Sequence, residues 1–228
     1  MFAYISESIS YLSKGGIVMI PIIFCSFFAL AVFIERFLSL KRQKVIPADL
    51  FDEVKVHIQD NRAAEALEIC GKNDSSLARI ITAGIKNHGK PREAVKEAIE
   101  EAGRREVALL DKYTGIMGTI ANITPLLGLL GTVSGMIKAF NVISAVGVGE
   151  PAVLAGGISE ALITTASGLT VAIPTFVGYK YILSRADSLV MEMEDYSIDV
   201  VELMKGEEVV VRGEKSPSAA RKGYKSRV

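Results

Sequence analysis

The sequence is short of the residues from which most catalytic and metal sites are built. Its 228 residues include two cysteines and two histidines, and neither His57 nor His88 has a cysteine or carboxylate at the spacing of a metal-ligand set. No nucleophile with a neighbouring base, glycine-rich phosphate loop or catalytic pair of carboxylates is found. We therefore expect no enzyme activity, no metal and no cofactor.

The sequence also gives no sign of a disulfide bond or of nucleic-acid binding. Cys25 lies in an apolar run and Cys70 in a charged region, so they are expected in different layers, as free thiols rather than a disulfide. The 26 Lys and Arg residues balance the 26 Asp and Glu residues, and no basic face carries interleaved aromatics. Nothing therefore indicates nucleic-acid binding.

What the sequence does contain is a sharp segregation of charge. Charged residues make up 23% of the chain, yet residues 15–34, 113–137 and 161–179 form uncharged runs of 20, 25 and 19 residues. A helix that crosses ~30 Å of hydrocarbon at 1.5 Å per residue needs about 20 residues. The sequence therefore predicts an all-α integral membrane protein with three transmembrane helices, two of them extended into a helical cytoplasmic domain.

The first run has a competing interpretation as a signal peptide, because Ala29-Leu-Ala31 imitates a cleavage site. Its apolar core is too long for that, and the region before it carries one Lys against one Glu, which favours a spanning helix. Before it, Phe2, Ile5, Ile9 and Leu12 form one apolar stripe. This spacing predicts a short amphipathic helix along the membrane surface.

These patterns divide the chain into eight segments. They are a periplasmic or interfacial helix (1–14), transmembrane helix 1 (15–40), a cytoplasmic helical domain (41–112), transmembrane helix 2 (113–143), a short periplasmic loop (144–157), transmembrane helix 3 (158–182), a cytoplasmic helical extension (183–206) and a disordered basic tail (207–228). Strong helix formers from Glu93 to Leu110 run directly into the second span, which favours one long continuous helix.

The orientation follows from the basic residues. Of the 26 Lys and Arg residues, 23 lie in residues 41–112 and 180–228, and positively charged segments stay in the cytoplasm. We therefore expect a periplasmic N-terminus and a cytoplasmic C-terminus.

Spans two and three are rich in small and hydroxylated residues. Gly131-Thr-Val-Ser-Gly135 matches the small-x-x-x-small pattern that lets helices approach closely, and we expect this face to support oligomer assembly. On the third span Glu160, Thr164, Ser167 and Thr175 share one side, with Thr165 beside them. Such hydroxyls either bond to backbone carbonyls or line an ion path. A proton-carrying acid would be Glu160 or would come from another chain.

Two motifs resemble a known family. Thr124-Pro-Leu-Leu-Gly-Leu-Leu-Gly-Thr-Val-Ser-Gly-Met136 and Gly156-Gly-Ile-Ser-Glu-Ala-Leu-Ile-Thr-Thr-Ala-Ser-Gly-Leu169, followed by Ala172-Ile-Pro174, look like the MotA/TolQ/ExbB proton channel family, in its ExbB/TolQ branch. The flagellar stator branch is disfavoured because its members have four spans. The resemblance implies a homopentamer in the bacterial inner membrane, around a pore that holds an ExbD- or TolR-like single-span subunit. That subunit's aspartate carries the proton, and the flow drives a TonB- or TolA-like protein.

The resemblance also assigns residues. Thr132 and Thr165 match the family's pore-facing threonines, and Glu160 matches its acid near the outer start of the third span. Ser134 stands where many members carry Trp. The residues expected to pack helices are Gly128, Gly131, Gly135 and Gly168. A scaffold without ion conduction is the alternative function, and both the ion (H⁺ is favoured over Na⁺) and the choice between an ExbB and a TolQ role stay open.

Overall fold

The structure is a computed structural model that describes residues 15–147 and 151–204. Within these residues the chain forms eight helices and no strand, which confirms the all-α prediction. They are α1 (Met19–Ser39), α2 (Arg42–Val45), α3 (Ala48–Gln59), α4 (Ala63–Lys72), α5 (Ser76–Lys86), α6 (Arg92–Leu110), α7 (Thr114–Val146) and α8 (Pro151–Met204). The amphipathic helix predicted for residues 1–14 and the tail predicted for 207–228 lie outside the described residues.

Three stretches of the described chain are long and apolar enough to cross a membrane. They are α1, the part of the chain from Arg92 to Ala145, and the part from Ala155 to Met204. Large apolar side chains cover their outer surfaces, including Phe24, Phe27, Leu126 and Ile173. Apolar surface of this extent requires lipid or neighbouring subunits around it. The protein is therefore a multi-pass membrane protein, as predicted.

The described chain divides into two compact units, and the division falls inside α6 and α8. The transmembrane unit comprises residues 15–46 and Arg104–Glu192, and the polar unit comprises Pro47–Gly103 and residues 193–204. In the transmembrane unit α1 packs on α7. In the polar unit α4 packs on both α3 and α5, and the Ser75 hydroxyl caps α5 by accepting a hydrogen bond from the backbone N–H of Ala78 at 3.2 Å.

The predicted continuous helix through the second span is interrupted at residues 111–113, between α6 and α7. Tyr113 there adopts a left-handed backbone with φ of 67°. Arg36 of α1, which is 5% exposed, donates from Nη1 to the carbonyl oxygens of Leu109 and Leu110 at 3.3 Å each. These carbonyls end a helix and lack partners further along it. The interruption is thus held by a side chain far away in the sequence, and no Gly or Pro marks it.

The connection between α7 and α8 is shorter than predicted. Helix α7 continues to Val146 and α8 begins at Pro151, so most of the predicted 144–157 loop is helical. Gly147 ends α7 with φ of 74°, a conformation that glycine adopts without strain. Helix α8 then continues for 54 residues, which include residues 183–204 of the predicted extension beyond the third span.

Candidate functional site

The glycines expected to pack helices all lie in the seam between α7 and α8 of the same chain. They are Gly128, Gly131, Gly135 and Gly168. A Cβ added at Gly135 would lie 2.7 Å from the carbonyl oxygen of Gly157, and one at Gly168 would lie 2.9 Å from the carbonyl oxygen of Thr124. Because these neighbours are backbone atoms, they cannot rotate away. The face expected to support oligomer assembly is thus already occupied within one chain.

Thr132 and Thr165, the two predicted pore threonines, lie close together along this seam. The Thr165 hydroxyl crosses it and donates to the carbonyl oxygen of Gly128 at 2.8 Å. The Thr132 hydroxyl donates to Leu129 of its own helix at 2.6 Å. Thr132 follows Gly128 by four residues, so it lies one helical turn along the same face. Both threonines are partly exposed at the outside of the seam.

The other hydroxyls of the predicted polar stripe behave differently. Thr164 is fully buried and donates both to the carbonyl of Glu160 at 2.7 Å and to that of Gly15 at 2.8 Å. Thr175 is also buried and donates to Val171 at 2.7 Å. These two threonines are satisfied by backbone inside the bundle. The stripe predicted on one side of the third span is therefore split, and Thr164 and Thr175 pack rather than face a path.

Glu160 is held by two other segments of the transmembrane unit. Its Oε1 accepts a hydrogen bond from Nζ of Lys138 at 2.5 Å. Its carboxylate also lies directly against Gly16, where an added Cβ would overlap with it, and Gly16 has φ of 66°. The Glu160 side chain is 19% exposed and that of Lys138 is 52% exposed. The acid is therefore paired, and it is largely covered.

Lys138 is the site residue that the sequence analysis missed, although a signal for it was present. It directly follows one uncharged run, and Glu160 directly precedes the other. Because consecutive spans are antiparallel, the end of one run and the start of the next lie at the same depth. Two opposite charges at these positions are therefore expected to meet.

The chemistry that this seam can support is hydrogen-bond exchange without a proton-carrying group of its own. The Thr165 hydroxyl gives its hydrogen to Gly128, so its oxygen can still accept a hydrogen bond from another donor. In the described part of the chain, no group of three His, Cys, Asp or Glu residues is placed to hold a metal ion. The two uncharged runs that form the seam contain no Asp or Glu of their own, and Glu160 directly precedes the second run.

The sequence matches the MotA/TolQ/ExbB proton channel family over residues 72–195, a range that contains the whole seam. It is 32% identical to the ExbB-like protein 3 of Synechocystis sp. over 165 residues, which cover 72% of this chain and 79% of the relative. It is 29% identical to the biopolymer transport protein ExbB of Salmonella typhimurium over 224 residues, or 92% and 89% of the two chains. The Tol-Pal system protein TolQ of Pseudomonas aeruginosa is 34% identical over 128 residues, or 51% and 55%.

Proposed function

The chain belongs to the MotA/TolQ/ExbB proton channel family, and we propose that it is the proton-channel subunit of an energy-transducing complex in the bacterial inner membrane. Its relatives carry both ExbB and TolQ names, which supports a role in driving biopolymer transport. In this proposal the complex couples the proton-motive force to a periplasm-spanning protein of the TonB or TolA type. The work done is outer-membrane transport or envelope maintenance.

One observation carries the proposal. Thr132 and Thr165 of the α7–α8 seam are partly exposed, whereas Thr164 and Thr175 are buried, although all four hydroxyls donate to backbone carbonyls. The two exposed hydroxyls lie in a segment with no Asp, Glu, Lys or Arg between residues 113 and 137 or between 161 and 179. Because both hydroxyl hydrogens are engaged with backbone carbonyls, their oxygens keep acceptor sites at the edge of an uncharged bundle, and lipid offers no donor for these sites. A pore supplies the water or polar partner that they need.

The proton-carrying group is then the aspartate of an ExbD- or TolR-like single-span subunit. When this aspartate is protonated, its O–H donates to the Thr165 oxygen, because the hydrogen of that hydroxyl is engaged with Gly128. When it is ionised, it needs donors instead, and the Thr132 hydroxyl can turn from Leu129 toward it. The threonines thus hold the acid in both protonation states while water carries the proton onward.

The proposed assembly is a homopentamer around a central pore. In the most apolar stretch of each span, only 17 to 28% of the residues are buried within the chain. The remaining surface includes large apolar residues on all three spans, and it is available to lipid and to other subunits. The small-residue seam, by contrast, is used inside each subunit.

The proposed orientation places residues 1–14 and the α7–α8 connection in the periplasm, and the polar unit and C-terminus in the cytoplasm. Single cysteines at the exposed positions Ser144 and Lys90 test it, in a background with Cys25 and Cys70 replaced by Ser. In spheroplasts an impermeant maleimide should label Ser144→Cys, and it should label Lys90→Cys only after the membrane is opened. The reverse order would invert the topology.

The function itself is tested by removing single hydroxyls. Val is nearly isosteric with Thr, so Thr165→Val and Thr132→Val should preserve the complex while proton flux into proteoliposomes falls on the order of tenfold, as for loss of one hydrogen bond. Thr170→Val is the matched control, because the exposed Thr170 hydroxyl bonds to its own helix as that of Thr132 does, but Thr170 does not match a pore threonine of the family. Full flux in both seam variants would show that these two hydroxyls do not line the pore, whereas no flux above background in the wild-type complex would favour a scaffold without conduction.

A further inference from the structure

Three segments of the transmembrane unit converge on Glu160 at one end of the bundle. Lys138 of α7 forms an ion pair with the Glu160 carboxylate at 2.5 Å. The Gly15–Gly16 turn before α1 lies against the same carboxylate, so closely that a Cβ added at Gly16 would overlap with it unless the carboxylate moved. Glu160 itself belongs to α8. A single carboxylate thus contacts the other two spanning segments of the chain.

The contact with the Gly15–Gly16 turn is made twice. Thr164, one helical turn after Glu160, donates its hydroxyl hydrogen to the carbonyl oxygen of Gly15 at 2.8 Å. The turn therefore rests on two successive turns of α8. Gly16 also lies three residues before Met19, the first residue of α1, whose first turn has no side-chain cap and no acidic residue. A carboxylate is favoured at such an amino end, where the helix dipole is positive.

The two partners of the ion pair are not equivalent. The Glu160 side chain is 19% exposed, so without Lys138 its carboxylate would lose its neutralising partner in a largely covered position. The Lys138 side chain is 52% exposed, so without Glu160 its ammonium group could be hydrated. Removing the partner of a covered charge is far more destabilising than removing the partner of a solvated one. In the described part of the chain, no other charged group pairs with Glu160.

From this arrangement we infer that Lys138 is a positioning residue, which holds Glu160 as a carboxylate that ties the ends of all three spans together. Glu160 is then a fixed charge and does not carry protons along the seam. This inference rests on the proposed function, because it assigns the moving proton to the partner subunit alone. It also assigns Glu160 to the structure of the transmembrane unit and not to the proton pathway.

The inference predicts an unusual order of effects in a double-mutant cycle. Lys138→Gln should reduce the yield of assembled complex on the order of fivefold or more, because it leaves the covered carboxylate unpaired. Glu160→Gln should reduce it less. The double variant Lys138→Gln/Glu160→Gln should assemble better than Lys138→Gln alone, and Lys138→Arg should assemble as the wild type does. Lys180→Gln is the matched control, because the Lys180 ammonium lies over the rings of Phe176 and Tyr179 rather than beside a carboxylate.

Two measurements are made on each variant, co-purified with its single-span partner: the amount of assembled complex by native mass spectrometry, and the proton flux per assembled complex in proteoliposomes. We expect Glu160→Gln and the double variant to conduct at the wild-type rate per complex. Loss of flux per complex in Glu160→Gln and in the double variant would show that Glu160 carries protons, and would overturn the inference.

Additive effects of the two single substitutions on assembly would also overturn the inference, because they would show that Lys138 and Glu160 act independently. Failure of the proposed function gives a different result. In that case the wild-type complex itself would conduct no protons above background, while the order of the assembly yields would still report on the ion pair.

Discussion

The α7–α8 seam of the transmembrane unit and the core of the polar unit are packed with side chains of different size. In the polar unit the fully buried side chains are large aliphatics, such as Leu77, Ile80 and Ile81 of α5. In the α7–α8 seam the two helices meet through glycine, alanine and threonine, and phenylalanine and leucine side chains cover the outside of the transmembrane unit. Water drives large apolar groups inward, whereas lipid exerts no such force and leaves close packing as the main attraction.

The two units also use charge differently. In the polar unit the pairs Arg62–Asp60, Lys72–Glu68 and Arg79–Asp74 lie at the exposed surface, where an ion pair contributes little. The Lys138–Glu160 pair of the transmembrane unit borders the uncharged runs, where poorer screening makes each charge depend more strongly on its partner. A charge is thus a surface feature in one unit and a structural link in the other.

The largest expected effect comes from filling the seam of the transmembrane unit. Gly135→Leu would place its Cβ 2.7 Å from the Gly157 carbonyl oxygen and 2.8 Å from Cβ of Ala161, so α7 and α8 must separate. We expect the protein to be lost from the monodisperse fraction in detergent. Gly115→Leu, in the same helix but with no atom within 4 Å of the added Cβ, should leave the chain folded. Equal yields of the two variants would mean that this seam does not hold the unit together.

A smaller effect is expected from a cavity in the polar unit. Ile81 is fully buried, so Ile81→Ala should lower the free energy of unfolding of this unit by about 2–5 kcal/mol. Phe24→Ala in the transmembrane unit removes a larger side chain, but one that is 71% exposed to the lipid side, and it should leave no cavity. Hydrogen exchange of α5 in each variant measures the difference. If Phe24→Ala weakened the fold as much as Ile81→Ala, the contrast between the two interiors would be wrong.

The smallest expected effect concerns the reactivity of the Cys70 thiol and not folding. Burial raises the pKa of the Cys70 thiol above its ordinary value, and a hydrogen bond with Thr82 lowers the pKa by less. With Cys25 replaced by Ser, the folded polar unit should react slowly with a maleimide near pH 7, and faster as the pH rises or in Ile81→Ala. Rapid alkylation of native Cys70 at neutral pH would contradict its burial.

The raised pKa of Cys70 also has a consequence for stability. The neutral thiol is the form that the folded unit favours. The contribution of the neutral Cys70 thiol to the stability of the polar unit is fully present below the ordinary thiol pKa. It is lost as the pH rises through the raised pKa of the folded state. Serine does not ionise in this pH range, so Cys70→Ser should remove this pH dependence of the stability.

The sequence by itself determined the helical class, the three spans and the family. The absence of charge over about 20 residues is a local property that already satisfies the thickness of a bilayer, whatever the rest of the chain does. The family motifs are likewise contiguous, and the pore role that they imply for Thr132 and Thr165 stays a prediction. Thr132 lies one turn after Gly128, to which Thr165 donates a hydrogen bond, and this spacing follows from helix geometry.

Only the tertiary structure decided which of these residues are covered and what they contact. The interruption before α7 depends on Arg36, 74 positions from Leu110, and the burial of Thr164 depends on Gly15, 149 positions away. Periodicity places Thr164 and Thr165 about 100° apart on the helix, but only the packed neighbours determine which hydroxyl is buried and which is partly exposed. Burial and pairing are properties of residues that meet after folding, so no pattern within one segment can determine them.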